Sequence, residues 1–318
     1  MIGRMPYLRW TLIGMCVWSA LIAGTLAAGG TLPSERLWID TGAVEGARYW
    51  QIDIMRGLYA PAAPEFAAPN DGVLSPDGTR VAYRPTTGSL DIYTRASGTT
   101  LALTAQSPTA YRFTSPFVWS PDGRQIAFSA LQEGGGDLFI IDADTPNSER
   151  PIARTFQDET TPVWSPDGRW IAFASNRQTP LDPFLPLYLY DTTVERTRRL
   201  THTGIQYYGY VWSADSQSLI AWEYDPEQTR FGRTRIYTPP LLVALDIGTG
   251  RRTPLLISES YSNSPPSATV DGRVALAMNF IAPRGAILVV VDAGGTVMAR
   301  VSTPFTVGRI AWQGVEGR

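Results

Sequence analysis

The chain has 318 residues, 44% of them hydrophobic, enough for a packed core, and its formal net charge of −2 excludes the basic footprint of a nucleic-acid binder. All 27 basic residues are arginine. A single histidine and a single cysteine exclude polyhistidine metal centres and any internal disulfide.

In chain order, the first element is an uncharged run of 18 residues, Thr11 to Ala28, preceded by Arg4 and Arg9. Positive charge on the N-terminal side places the N-terminus in the cytoplasm and the rest of the chain across the membrane. At about 1.5 Å per residue against a hydrocarbon core of roughly 30 Å, the run is just long enough to span. Ala27 and Ala28 offer small residues for signal cleavage, but a retained anchor is the expectation. The chain therefore divides into residues 1–30, an N-terminal transmembrane or signal helix, and a body of residues 31–318. Cys16 lies inside the apolar run, so the body carries no thiol, which suits an oxidising compartment.

The body repeats itself. VLSPDGTRVAY from Val73, VWSPDGRQIAF from Val118, VWSPDGRWIAF from Val163, VWSADSQSLIAW from Val211 and SATVDGRVALAM from Ser267 align on Asp77, Asp122, Asp167, Asp215 and Asp271. The spacings are 45, 45, 48 and 56 residues, and a weaker copy, AWQGVEGR, closes the chain. In each unit an apolar strand meets Pro-Asp-Gly, where Pro presets φ, Asp hydrogen-bonds locally and Gly accepts positive φ. A β-branched and aromatic run follows, then a third such as DLFIIDAD or LYLYDTT, then a short fourth such as RPIART or RRLTHT. Four strands per unit of about 45 residues is the arithmetic of a propeller blade.

The last copy stops at its turn, one strand into a blade. Three further strands stand at the start of the body: RLWIDTG from Arg36, RYWQIDIMRG from Arg48 and LYAP from Leu58. The expected fold is therefore all-β, a six-bladed β-propeller of four-stranded antiparallel blades, with the last blade closed by N- and C-terminal strands.

With its Trp-Ser-Pro-Asp-Gly-Arg turns, Ile-Ala-Phe strands and RRLTHT segment, residues 36–318 resemble the WD40-like Pro-Asp repeats of the TolB family's six-bladed propeller. The resemblance implies the fold and an extracytoplasmic, protein-binding setting. It does not extend to that family's additional N-terminal α/β domain, for which the chain has no room. The same repeat occurs in the propellers of prolyl-oligopeptidase-type proteases, so the motif specifies architecture more than function.

Residues with catalytic potential are few. His202 is the only histidine and no G-x-S-x-G elbow is present, so no Ser-His-Asp hydrolase is expected. EGGG, Glu133 to Gly136, lacks the Lys-Ser/Thr of a phosphate loop and reads as a flexible hairpin tip. The repeated turn aspartates, and Asp142, Asp191, Asp246 and Asp292 ending third strands, read as turn residues. Trp119, Trp164 and Trp212 read as packing between blades. No catalytic residue, metal site or cofactor is assigned.

Function on a propeller belongs to what breaks the repeat. If the Pro-Asp-Gly turns share one face with the third-to-fourth turns, the long unequal loops share the other. Those loops concentrate Tyr111, Phe113, Phe184, Tyr207, Tyr208, Tyr210, Phe231 and Tyr261 beside Arg112, Arg230 and Arg233, a Tyr and Arg composition suited to a protein or peptide partner in the cell envelope. About seven residues join the apolar run to the first propeller strand, so a retained anchor turns the Pro-Asp-Gly face toward the membrane. The leading expectation is a noncatalytic, membrane-tethered scaffold on the extracytoplasmic side that binds no nucleic acid. The alternative is a propeller enzyme, a hydrolase or lyase acting on a sugar or lactone through a cation in the central channel.

Overall fold

The computed structural model describes residues 36–40, 49–53, 58–61, 72–104, 112–113, 117–132, 135–178, 185–202, 204–224, 230–231, 234–235, 240–258, 262–268, 272–281, 284–307 and 309–312. The expected N-terminal helix, Asp271 and several long loops lie outside them. Among the described residues no helix is long and apolar enough to cross a membrane.

The body is an all-β propeller of four-stranded antiparallel blades. Blade 1 comprises Val73–Leu74, Arg80–Tyr83, Asp91–Thr94 and Thr99–Ala102, paired in that order. Blade 2 continues with Val118–Trp119, Gln125–Gln132, Gly135–Asp142 and Arg150–Ala153, its first strand extended by Arg112–Phe113 on the same partner. Blade 3 is Glu159–Trp164, Trp170–Ser175, Leu187–Asp191 and Arg196–Arg199. Blade 4 is Gln206–Trp212, Ser218–Tyr224, Leu241–Asp246 and Arg252–Ile257. Blade 5 has a divided first strand, Ser262–Asn263 and Ser267–Ala268, followed by Val274–Ile281, Arg284–Val291 and Val297–Thr303.

A further four-stranded sheet joins the two ends of the body. Arg309–Trp312 pairs with Arg36–Asp40, placing Leu37 opposite Trp312 and Ile39 opposite Ile310, and Tyr49–Asp53 and Leu58–Pro61 follow. The expected count of six therefore resolves into five blades of consecutive strands and one sheet shared between the termini. The expected loop within blade 4 also carries a small hairpin of its own, Arg230–Phe231 with Thr234–Arg235.

Each Pro-Asp-Gly turn is built alike, because Ser, Asp and Gly close one local network. In blade 1 the Ser75 hydroxyl donates to Asp77 Oδ1 at 2.5 Å and accepts from the Arg80 amide at 2.9 Å, while the Thr79 amide donates to Asp77 at 3.0 Å. Ser120 with Asp122, Ser165 with Asp167, and Ser213 with Asp215 repeat it. Gly78 takes φ of 69° to complete the turn, and in blade 4, where Gly is absent, Ser216 adopts 59° instead.

The core lies between blades. Side chains alternate across each strand, so successive residues face opposite neighbours. Ile171 and Phe173 pack toward blade 2, and Ala172 and Ala174 toward blade 4. Blade 4 exchanges the sizes: Leu219 and Ala221 face blade 3, while Ile220 and Trp222 face blade 5. Tryptophans lock the seams, Trp119 Nε1 donating to the Val73 carbonyl at 2.9 Å and Trp212 Nε1 to that of Val163 at 3.0 Å. First strands touch from blade to blade and fourth strands are exposed, so the first strand is innermost.

Candidate binding site at the variable-loop end

Antiparallel pairing gives each blade two ends. Ser-Pro-Asp-Gly turns and third-to-fourth turns share one, the turn end; the other, the loop end, carries the connections that differ between blades. At the turn end aspartates serve the backbone: Asp142, Asp191, Asp246 and Asp292 each accept an amide proton from two or three residues onward. Hydrogen bonds to the Ser75 hydroxyl and to Thr79 hold the Asp77 carboxyl at about 2. Burial opposes ionisation of Asp191, but donors from Thr193, Arg169 and Val194 outweigh it and hold this carboxyl also at about 2.

Asp191 is buried at the turn end while serving its own turn, and the loop end of blades 2 to 4 buries acids as well, each beside an arginine. Glu159, at the start of blade 3, is fully buried. Its Oε1 accepts from the Thr155 hydroxyl at 2.8 Å and the Ser175 hydroxyl at 2.9 Å, and lies 3.4 Å from Arg177 Nη2. The Arg177 guanidinium stacks 5.1 Å over Phe173 and 4.9 Å over Tyr188. Glu159 Oε2 and the Tyr188 hydroxyl are buried and bond to no described residue. Burial pushes the Tyr188 phenol up, with Arg199 and Arg177 pulling the other way. In blade 2, Asp137 is buried with Arg154 Nε at 3.5 Å, and burial raises its carboxyl against the opposing Thr155 amide. In blade 4, Glu223 is 4% exposed and pairs with Arg252 Nε at 2.5 Å.

Two backbone features position this end. Thr161 has φ of 52°, unfavourable for a β-branched residue, at a bulge in the first strand of blade 3. The Tyr210 hydroxyl, buried at the blade 3–4 seam, donates to the Thr161 carbonyl at 2.5 Å and lies 2.7 Å from its Oγ1, holding the bulge. Blade 4 bulges at the matching place, with Gly209 at 53°.

Gln132 pairs with Gly135, so EGGG lies at a hairpin tip as expected, but its last two glycines are constrained. Gly135 and Gly136 begin a strand packed against blade 3, and the Gly136 amide donates to Asp158 Oδ1 at 3.1 Å. A Cβ on Gly135 would lie 2.8 Å from the Gln157 carbonyl, so glycine here permits close approach of two backbones.

The aromatic and arginine residues expected at this end divide. Tyr207 and Tyr210 are each 8% exposed, in the core between blades 3 and 4, so they supply packing there; Tyr208 is half-buried against the blade 4–5 core. Phe113 is half-buried, its ring 5.0 Å from Phe117 and 5.4 Å from Phe128. Arg112 lies on the inner strand of blade 2, and Arg230 and Phe231 on the hairpin inserted in blade 4. Tyr111, Phe184, Arg233 and Tyr261 lie outside the described residues. His202 is exposed just beyond the fourth strand of blade 3. The buried acids were missed; the signal was Glu159 opening an otherwise uncharged inner strand.

The comparison with known families decides the lineage: residues 69–315 match the model described as the TolB beta propeller domain. The chain belongs to the TolB β-propeller family. No curated protein matches the sequence. Among solved structures, TolB from Acinetobacter baumannii is similar at 19% identity and a TM-score of 0.61, over 97% of this chain and 74% of that one. A putative TolB from Agrobacterium tumefaciens is similar at 14% identity and a TM-score of 0.59, over 90% of this chain and all of the other. An oligogalacturonate lyase in complex with manganese matches at 15% identity and a TM-score of 0.57, over 79% of this chain and 69% of that one. At such identities the TolB-type likeness is one of fold.

Proposed function

We propose that this TolB-type propeller is a noncatalytic binding scaffold, six-bladed when the shared terminal sheet is counted, tethered by its N-terminal segment on the extracytoplasmic side of a membrane. Its loop end engages a protein or peptide of the cell envelope. Tyr208 and the residues expected on the surrounding loops, Tyr111, Arg112, Phe184, Arg230, Phe231 and Tyr261, form the contact surface, and Tyr207 and Tyr210 support it from beneath. One observation carries the reading: at the turn end the Ser-Asp turns repeat from blade to blade, whereas at the loop end the connections differ between blades and blades 2 to 4 bury Asp137, Glu159 and Glu223 in ion pairs of their own. Affinity capture of envelope proteins by the full chain tests it. A specific partner is expected, lost on Tyr208→Ala with Arg230→Ala and retained on Asp77→Asn at the turn end; a partner set unaffected by the loop-end pair overturns it.

The enzyme reading keeps one supporting observation, the same trio of buried acids on a fold shared with an oligogalacturonate lyase. Against it, each acid is paired with an arginine, Arg154, Arg177 or Arg252. Stoichiometric divalent metal in purified protein, with cleavage of oligogalacturonate, would favour the enzyme.

A further inference from the structure

The seams between blades are alike in plan but not in what fills them at the turn end. At the seam of blades 1 and 2, Arg80 from the second strand of blade 1 reaches across. Its guanidinium lies 5.0 Å over the Trp119 ring, donates to the Gly123 carbonyl at 2.5 Å and pairs with Asp144 at 2.9 Å. At the seam of blades 3 and 4 the matching position holds Trp170, flanked by the guanidinium groups of Arg169 at 4.9 Å and Arg198 at 5.2 Å, and Arg198 donates onward to the Ile247 carbonyl.

At the seam of blades 2 and 3 the matching residue is Gln125, too short to repeat either arrangement. What remains is an open groove of about 620 Å³, lined by Asp122, Gln125, Arg150, Trp164, Asp167 and Thr192 among others. The two glycines at matching turns record the difference. A Cβ on Gly123 would meet Arg80 Nη2 at 3.6 Å, whereas one on Gly168 would meet only Pro121 at 3.9 Å. Trp164 differs as well: it is 91% buried, yet its Nε1 bonds to no described residue, while Trp119 and Trp212 are pinned to the preceding blade. Asp122 and Asp167, both exposed and lining the groove, bond to their own turns through Oδ1. The charge of Arg150 is answered by Glu195 at 3.3 Å.

We propose that this groove is a binding site for an arginine side chain presented by a partner peptide, the guanidinium taking over Trp164 the place that Arg80 takes over Trp119. The occupant follows from the molecule itself, which fills the neighbouring seams with guanidinium groups. A planar cation matches an aromatic floor and two carboxylate walls, and a lysine ammonium lacks the fork that reaches two acceptors. The site lies at the opposite end of the blades from the loop-end surface, so it stands or falls independently of the function proposed above.

The test is calorimetric titration of the full chain with acetyl-Gly-Arg-Gly-amide and acetyl-Gly-Lys-Gly-amide. Saturable one-to-one binding is expected, with the arginine peptide favoured by about tenfold, near 1.4 kcal/mol. Gln125→Arg, which lets the chain fill its own groove, is expected to weaken arginine-peptide binding at least about tenfold with the melting temperature unchanged or raised. Asp122→Asn is expected to weaken it less. No saturable binding, equal affinity for the two peptides, or undiminished binding by folded Gln125→Arg would overturn the proposal. Should Gln125→Arg fail to fold, the preference between peptides in the unaltered chain decides alone.

Discussion

The two ends of the blades use the same residue types for opposite purposes. At the turn end Asp77, Asp122, Asp167 and Asp215 each accept from a serine two residues earlier, and hydrogen bonding holds the Asp77 carboxyl at about 2. At the loop end Asp137 is buried, its carboxyl is pushed up by desolvation, and its Oδ1 meets no described donor. Environment, not residue identity, decides which carboxylate is structural. An aspartate repeated in blade after blade stabilises a turn, whereas the buried Asp137, Glu159 and Glu223 are each answered by an arginine.

The largest expected effect would break the loop end. Glu159→Ala leaves the Arg177 guanidinium, 17% exposed, without its counter-charge and is expected to cost about 3–5 kcal/mol in urea unfolding, most of it restored when Arg177→Met is added. Equal losses in single and double variants would show that the pair is not the unit. Next is Gly135→Ala, which sets a methyl 2.8 Å from the Gln157 carbonyl and is expected to cost about 1–3 kcal/mol by forcing blades 2 and 3 apart. Tyr210→Phe removes the hydroxyl that holds the Thr161 bulge and is expected to cost about 1 kcal/mol; a neutral result would mean that the bulge holds itself.

The smallest effect sharpens the comparison through pH. The folded-state carboxyls of Asp77 and Asp191 stand at about 2, below the unfolded value near 3.9. Their stabilisation is therefore complete above about pH 4 and lost as pH falls toward 2. Asp77→Asn should flatten this acid limb of the melting temperature. Asp137 has the opposite sign, since a raised folded-state value makes its ionisation unfavourable to the fold as pH rises. Asp137→Asn should therefore gain on the unaltered protein as pH rises from about 4, and a change independent of pH would show that its burial is not felt as charge.

Much of the architecture was legible before any coordinates. The Pro-Asp-Gly turns, the strand order within blades and the pairing of Arg36–Asp40 with Arg309–Trp312 all follow from the repeat. The expected use of Tyr207 and Tyr210 did not follow, because the strand QYYGYVW bulges at Gly209 and both rings enter the seam with blade 3. A bulge resets which residues face the neighbour, and alternation read along the strand cannot register it. The constraint on the last two glycines of the EGGG hairpin tip did not follow either, because it comes from the backbone of another blade.

By itself the sequence determined the turn chemistry and the strand pattern within a unit, because each depends on residues within a few positions of one another. Only the tertiary structure decided which acids are buried, which tyrosines pack inward, and which seam stays open beside Trp164. Those outcomes rest on contacts between blades about 45 residues apart, where the size of one side chain, Gln125 in place of an arginine, decides whether a space is filled.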